Sequence, residues 1–263
     1  MDSTRVSLLA AGVGGVVSTA VVAVALTRVV TLGDALVWLA LAGVLVLLLV
    51  GYTSVFADEN HTPGTQQRYD WIGLPTTITL FRGTIVAWVG GVVALVLVGA
   101  PSARLAWFAA LGYGLAAGLD SVDGALARRT NRVTALGARL DMTVDAVGLL
   151  VASVAGIVLG QLPWWYLSVG VARYAFVAGL WWRARTGKPT FDLPPRESRR
   201  VLAGLQMAFV PLALAPGVAD QWIPELAALA AGALLLGFAR DWLYVSGRLG
   251  ESTRQKKPAP TDE

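Results

Sequence analysis

Long apolar segments recur along this chain, and they constrain its fold more than any other feature. A helix needs about 20 apolar residues to cross a hydrocarbon core of about 30 Å. Only 14% of the residues are charged, whereas soluble domains contain about 25%. A soluble protein with a large core would need more charged surface than this composition provides. The sequence therefore predicts an all-α, polytopic integral membrane bundle of about eight transmembrane helices.

The predicted spans are separated by tight turns and by two polar segments. They cover 6–30, 35–56, 74–99, a segment from about 103 that carries Asp120 and Asp123 near its far end, 136–160, 164–182, 201–216 and 224–245. The first run is longer than the apolar part of a signal peptide, and a second span follows at once, so we expect a retained helix. We expect an N-terminal helical hairpin at 1–57, a polar linker at 58–73, a six-helix core at 74–247 and a disordered tail at 248–263.

Four aspartates flank a basic connection between the fourth and fifth spans. Asp120 and Asp123 are three residues apart, and Asp141 and Asp145 are four apart, so each pair lies on one helix face. The segment between the pairs is polar and basic and ends in glycine, as a short connection would. Folding at this connection brings the pairs together, where clustered carboxylates repel unless a cation lies among them. Oxygen ligands alone favour Mg²⁺ or Mn²⁺ over zinc.

Basic residues are concentrated on one side of the predicted topology. With eight spans, both termini share a side with Arg68, the cluster at 128–139 and the polar segment 183–200, whereas the opposite turns carry only Arg28 and Arg104. The positive-inside rule places the basic side in the cytoplasm. We therefore expect an integral protein of the cell membrane with both termini and the aspartates at the cytoplasmic face.

The stretch that holds the aspartates resembles the signature of the CDP-alcohol phosphotransferase family of membrane enzymes, also called CDP-alcohol phosphatidyltransferases. Written as a pattern, that signature is D-x2-D-G-x2-A-R-x8-G-x3-D-x3-D. It falls on Asp120, Asp123, Gly124, Ala127, Arg128, Gly137, Asp141 and Asp145, with no departure in residue type or spacing. The family core has six spans, so the first hairpin lies outside the resemblance.

The resemblance implies distinct roles for the aspartates. Asp120, Asp123 and Asp141 are implied to be mainly metal ligands for Mg²⁺ or Mn²⁺, with two ions bound. Asp145 is implied to be the general base that takes the proton of an attacking alcohol, and also to touch the second ion.

The signature also implies a nucleotide site beside the metal ligands. Gly124 and Ala127 are small enough to let a base, ribose or phosphate approach the helix backbone, although small residues also serve helix packing. Arg128 can bind a phosphate through two hydrogen bonds. Thr134 occupies the place where the family has a hydroxyl near the cytosine.

The span at 74–99 opens with a second partial match to the family. The family often shows P-N-x-x-T-x-x-R here; Pro75, Thr79 and Arg82 match, and Thr76 replaces the asparagine. Thr79 is accordingly a candidate nucleotide ligand. Arg82 lies about two turns inside the span, where an unpaired charge is costly, so it pairs with an aspartate or binds a substrate phosphate. A purely structural ion pair is the alternative.

Other arginines are candidates for binding a phosphorylated acceptor. Arg173 lies within its span, and a charge at such a position usually serves a cavity. Arg199 and Arg200 lie at the start of the next span.

The sequence thus predicts a metal-dependent transferase that makes phospholipids. It would move a phosphatidyl or archaetidyl group from a CDP-linked lipid to a small polar alcohol, phosphorylated or not, and release CMP. The alternatives are transfer from a CDP-linked polar alcohol to a lipid alcohol, a divalent-cation transporter that uses the aspartates as its ion site, and a non-catalytic scaffold. The expected partners are these substrates, membrane lipids and a second copy in a homodimer, with no nucleic acid.

Overall fold

The computed structural model describes residues 3–65, 68–129, 133–193, 197–218 and 220–249, without the side chains of residues 123, 125 and 127–129. In this part of the chain the structure has eight long α-helices and no strand. They are α1 (Ser3–Leu26), α2 (Leu32–Val55), α3 (Leu74–Leu97), α4 (Ala103–Arg129), α5 (Ala135–Val158), α6 (Leu167–Arg185), α7 (Glu197–Leu214) and α8 (Ile223–Val245). The predicted all-α membrane bundle is confirmed.

Six of the helical segments are long and apolar enough to cross a membrane. They contain α1, α2, α3, most of α4, α5 and α8. The other two helices, α6 and α7, are shorter, at 19 and 18 residues, and carry arginines in their sequences. The boundaries between hairpin, linker, core and tail remain predictions.

The turn between α1 and α2 lies earlier than the sequence predicted. The helix α1 ends at Leu26, and residues 27–30 form the turn. Thr31 is the N-cap of α2, where its hydroxyl accepts a hydrogen bond from the Asp34 amide at 3.2 Å and the Asp34 carboxylate accepts one from the Thr31 amide at 3.3 Å. This reciprocal capping box satisfies two amides that lack partners within the helix and so places the start of α2 at Leu32.

The helix α3 is at the centre of the bundle and contacts α1, α2, α4 and α5. Glycines on α3 allow α2 to approach closely: a Cβ on Gly91 would lie 2.6 Å from Trp38 Nε1. Trp38 is fully buried and donates its indole N–H to the Trp88 carbonyl at 3.0 Å. Trp88 in turn donates to the Thr19 hydroxyl at 2.9 Å, so the two helices of the hairpin are joined to α3 by hydrogen bonds as well as by packing.

The polar linker is attached to the start of α5. The amide of Ala135 donates to the His61 carbonyl at 2.9 Å. Glu59 and Arg139 form a two-point ion pair, with Nε–Oε2 at 2.6 Å and Nη2–Oε1 at 2.7 Å. These contacts position the first turns of α5, on which Asp141 and Asp145 lie.

Candidate active site

Three aspartates from two helices converge on the side of the bundle where α4 ends and α5 begins. Asp120 is on α4, and Asp141 and Asp145 are one turn apart on α5. One carboxylate oxygen from each can be chosen so that all three oxygens lie within 4.8 Å of one another. Because the chain reverses direction between α4 and α5, residues more than 20 apart in sequence come together.

Arg82 of α3 binds all three carboxylates. Its Nη2 lies 2.8 Å from Asp120 Oδ1 and 2.7 Å from Asp145 Oδ1, and its Nη1 lies 2.8 Å from Asp141 Oδ1. Its Nε donates to the Ala116 carbonyl at 3.1 Å. The sequence predicted that Arg82 pairs with an aspartate, binds a substrate phosphate or forms a purely structural ion pair. The structure shows contacts with three aspartates, and the planar guanidinium is suited to binding several oxygens at once.

The arginine and the aspartates differ in their access to solvent. The Arg82 side chain is only 3% exposed, whereas those of Asp120, Asp141 and Asp145 are 27%, 43% and 34% exposed. Arg82 therefore closes the inner side of the cluster, and the carboxylates remain accessible to a ligand from the other side.

The donor set fits a hard divalent cation. It consists of carboxylate oxygens, which suit Mg²⁺ and Mn²⁺. A carboxylate has two oxygens with about four lone-pair sites, so a carboxylate that binds Arg82 can bind a metal ion as well. The cluster can accordingly hold a cation, and Arg82 adds a second positive charge beside it.

Part of the predicted site lies outside the described side chains. Asp123, Ala127 and Arg128 belong to α4, but their side chains are not among those described. Gly124 follows Asp120 by about one turn and is half-buried.

The two predicted threonines both make local backbone hydrogen bonds. Thr134 is 3% exposed and is the N-cap of α5, because its hydroxyl accepts a hydrogen bond from the Gly137 amide at 3.0 Å. Gly137 therefore lies within the first turn of α5 and not in the connection. Thr79, also 3% exposed, donates to the Pro75 carbonyl at 3.1 Å.

The candidate acceptor arginines occupy different surroundings. Arg199 pairs with Asp241 of α8 through Nε–Oδ2 at 2.6 Å and Nη2–Oδ1 at 3.0 Å. Arg173 and Arg200 are exposed on α6 and α7. The structure thus joins α7 to α8 through Arg199, a pairing that the sequence did not predict.

One residue next to the aspartates was missed by the sequence analysis. Tyr113 is 5% exposed on α4 and, with Arg82 and Asp145, lines a small cavity of about 10 Å³. A cavity of this size holds about one water molecule. Tyr113 precedes Asp120 by seven residues, so both side chains lie on one face of α4. This spacing could have indicated that Tyr113 lies near the site.

Curated proteins match a short part of this chain. Proteins named "Putative cardiolipin synthase" from Mycobacterium bovis and from two strains of Mycobacterium tuberculosis are each 34% identical to this chain over 74 residues. The match covers 27% of this chain and 35% of theirs, so the chain spans about a third of the length of these curated relatives. No solved structure gives a significant match.

The family comparison covers most of the bundle. The family model described as CDP-alcohol phosphatidyltransferase matches residues 72–239, which is more than half of the chain. The matched region contains α3 to α7, most of α8, Arg82 and all four aspartates. The chain therefore belongs to the CDP-alcohol phosphatidyltransferase family.

Proposed function

We propose that this protein is a metal-dependent transferase that synthesises a phospholipid. It moves a phosphatidyl or archaetidyl group from a CDP-linked lipid to a polar alcohol and releases CMP. The observation that carries the proposal is the convergence of Asp120, Asp141 and Asp145 on an open site backed by the buried Arg82. Family membership supplies the reaction class.

The proposed reaction is a displacement at phosphorus. The hydroxyl oxygen of the acceptor bonds to the phosphorus that carries the lipid, and the bond from that phosphorus to the bridging oxygen of CMP breaks. CMP leaves with the electrons of the broken bond, and the hydroxyl proton passes to Asp145. Asp120, Asp123 and Asp141 would hold a divalent cation, which when bound would neutralise charge at the pyrophosphate and at the departing CMP.

The position of Asp145 supports its role as the base. It belongs to the same cluster as the proposed ligands and is partly exposed, so an acceptor hydroxyl can reach it. Arg82 orients this carboxylate through the 2.7 Å contact with Oδ1. A positioned carboxylate of this kind contributes about 10²–10⁴-fold to a proton-transfer step.

The remaining substrate contacts are part of the proposal and follow from the family resemblance. We assign the nucleotide to Gly124, Ala127, Arg128, Thr134 and Thr79. For a phosphorylated acceptor we assign Arg173, Arg199 and Arg200, with Arg82 at the transferred phosphate. The protein would work in the cell membrane, as a homodimer, with two ions and with its site and both termini on the cytoplasmic face.

The experiment is CMP release by the purified protein in detergent with Mg²⁺ or Mn²⁺. CDP-diacylglycerol and its ether analogue are each tested with glycerol phosphate, inositol phosphate, serine and phosphatidylglycerol. The last acceptor is included because the name of the mycobacterial relatives refers to cardiolipin. Acceptor-dependent release that stops on chelation of the metal would establish the reaction and identify the acceptor.

The matched variants are Asp145→Asn and Asp192→Asn. Loss of the base should lower the rate by about 10²-fold or more, whereas Asp192 is exposed outside the helices and its replacement should have no effect. Release with a CDP-linked polar alcohol and a lipid alcohol instead would support the reversed reaction. Metal binding without release from any donor would contradict the proposal and favour the transporter.

A further inference from the structure

An apolar groove of about 460 Å³ lies between α2, α3 and α5. It is lined by residues from 45–52 of α2, 83–87 of α3 and 143–151 of α5, within segments long and apolar enough to cross a membrane. Its volume is in the range of about 300–1,000 Å³ that ligand sites occupy. Leu48 lines it while remaining 63% exposed, so the groove opens toward the surrounding lipid.

The groove has a polar end, and that end is level with the aspartates. Tyr52 and Thr143 line this polar end, and their hydroxyl oxygens are 3.2 Å apart. Thr143 lies between Asp141 and Asp145 in the sequence of α5, and the lining residue Gly83 directly follows Arg82. The polar end of the groove is therefore at the depth of the proposed phosphate site.

From that end the groove runs deeper into the apolar part of the bundle. Thr143 and Val151 both line it, and eight residues of helix rise about 12 Å. This length is close to the depth of one leaflet, about half of the 30 Å hydrocarbon core. A molecule that fits this direction has a polar group near the aspartates and a hydrocarbon chain pointing toward the membrane centre.

A single layer of side chains separates the groove from the candidate active site. Val86 and Val144 line the groove, and they also line the small cavity bounded by Arg82 and Asp145. The groove thus lies directly beside the site at which we propose that the lipid pyrophosphate binds, across the side chains of Val86 and Val144.

We infer that the groove binds a hydrocarbon chain of the CDP-linked lipid, and that α2 is part of the lipid site. The inference rests on the proposed function, because it needs a lipid donor with its pyrophosphate at the aspartates. It gives the N-terminal hairpin a direct role in substrate binding, although α2 lies outside residues 72–239 that match the family. The apolar lining does not suit a small polar acceptor such as glycerol phosphate or serine.

Two neighbouring leucines provide a matched test. Leu48 lines the groove and is 63% exposed, whereas Leu47 is 61% exposed and is not among the lining residues. Leu48→Trp should fill part of the groove and raise the KM for long-chain CDP-diacylglycerol about tenfold relative to Leu47→Trp, through lost burial of a few methylenes. The KM for a short-chain donor should change little, and by the same amount in both variants. The same holds for the KM for the acceptor. An equal KM for the long-chain donor in the two variants would overturn the inference.

Photo-crosslinking separates this inference from the proposed function. CDP-diacylglycerol with a diazirine in one chain should label residues 45–52, and unlabelled CDP-diacylglycerol should compete better than phosphatidylcholine with the same chains. If the protein releases CMP, two results would overturn the lipid groove alone. One is equal competition by phosphatidylcholine, and the other is that unlabelled CDP-diacylglycerol reduces labelling only at residues outside 45–52. If the wild-type protein releases no CMP and CDP-diacylglycerol competes for no labelled position, the proposed function fails and the groove assignment fails with it.

Discussion

Arg82 determines how the three aspartates are held together. A buried arginine needs partners, because an unpaired charge in a low-dielectric interior is costly. Here its guanidinium has contacts of 2.7–2.8 Å with carboxylates from two helices, and it also binds a backbone carbonyl of α4. Lysine carries the same charge on a single nitrogen and cannot reproduce this planar set of contacts.

Arg82→Lys should therefore destabilise the protein and reduce CMP release. Removing one partner of a buried ion pair costs about 3–5 kcal/mol, and the loss here should be smaller because lysine keeps the charge and the aspartates are partly exposed. Thermal unfolding in detergent measures the change, with the exposed Arg104→Lys as the control. An unfolding temperature equal to that of the wild type would show that the three contacts contribute no stability.

Metal binding can be measured without any substrate. Mn²⁺ should raise the unfolding temperature of the wild-type protein after chelator treatment, because a ligand at about 100 times its Kd stabilises the folded state by about 2.7 kcal/mol. Asp141→Asn removes one proposed ligand and should abolish most of the shift. A shift of unchanged size in this variant would contradict the assignment of Asp141 as a metal ligand.

At the scale of single elements, close packing joins α2 to α3. The Cβ of an alanine at 91 would lie 2.6–2.9 Å from three atoms of the rigid indole of Trp38, which is fully buried. Gly91→Ala should thus cost about 1–3 kcal/mol of stability through overpacking. Gly43→Ala, on α2, is the control, because its new Cβ would meet nothing within 4 Å. Its stability should be equal to that of the wild type or slightly higher. Thermal unfolding of the two variants tests this packing. Equal stabilities of Gly91→Ala and Gly43→Ala would contradict the close contact between Gly91 and Trp38.

The N-cap of α5 provides a second test at this scale. Thr134→Ala removes the oxygen that accepts from the Gly137 amide at 3.0 Å, and loss of an N-cap costs about 1 kcal/mol. Thr134→Ser keeps an oxygen in the same place and should restore most of the stability. Measuring the KM for the CDP-linked donor in both variants also tests the proposed nucleotide contact: a raised KM in the alanine variant and a normal one in the serine variant would support that contact.

For the whole molecule, the uneven charge distribution predicts how the protein lies in the membrane. The chain contains no cysteine, so single cysteines can be introduced at exposed positions on opposite sides. Val133→Cys lies in the connection between α4 and α5, on the side of the aspartates, and Ser102→Cys lies in the turn before α4. In intact cells a membrane-impermeant maleimide should label the cysteine at 102 and should label the one at 133 only after lysis. The opposite pattern would place the site outside the cytoplasm.

The aspartate cluster was predictable because its parts are close in sequence. The i, i+3 and i, i+4 spacings and the glycine near the connection are local patterns, and each has a direct geometric meaning on a helix. The exact ends of the helices were not predictable from hydropathy. The start of α2 depends on the capping box at Thr31 and Asp34, and the start of α5 depends on the cap at Thr134.

The sequence by itself determined the fold class, the family signature and the aspartates, because apolar length and residue spacing are properties of the linear chain. Only the tertiary structure decided that Arg82 binds three aspartates, that Glu59 of the linker binds Arg139, and that α2 forms a groove with α3 and α5. These features join segments far apart in the chain. Their geometry depends on how closely helices pack, and that distance is set by the side chains that meet at each crossing.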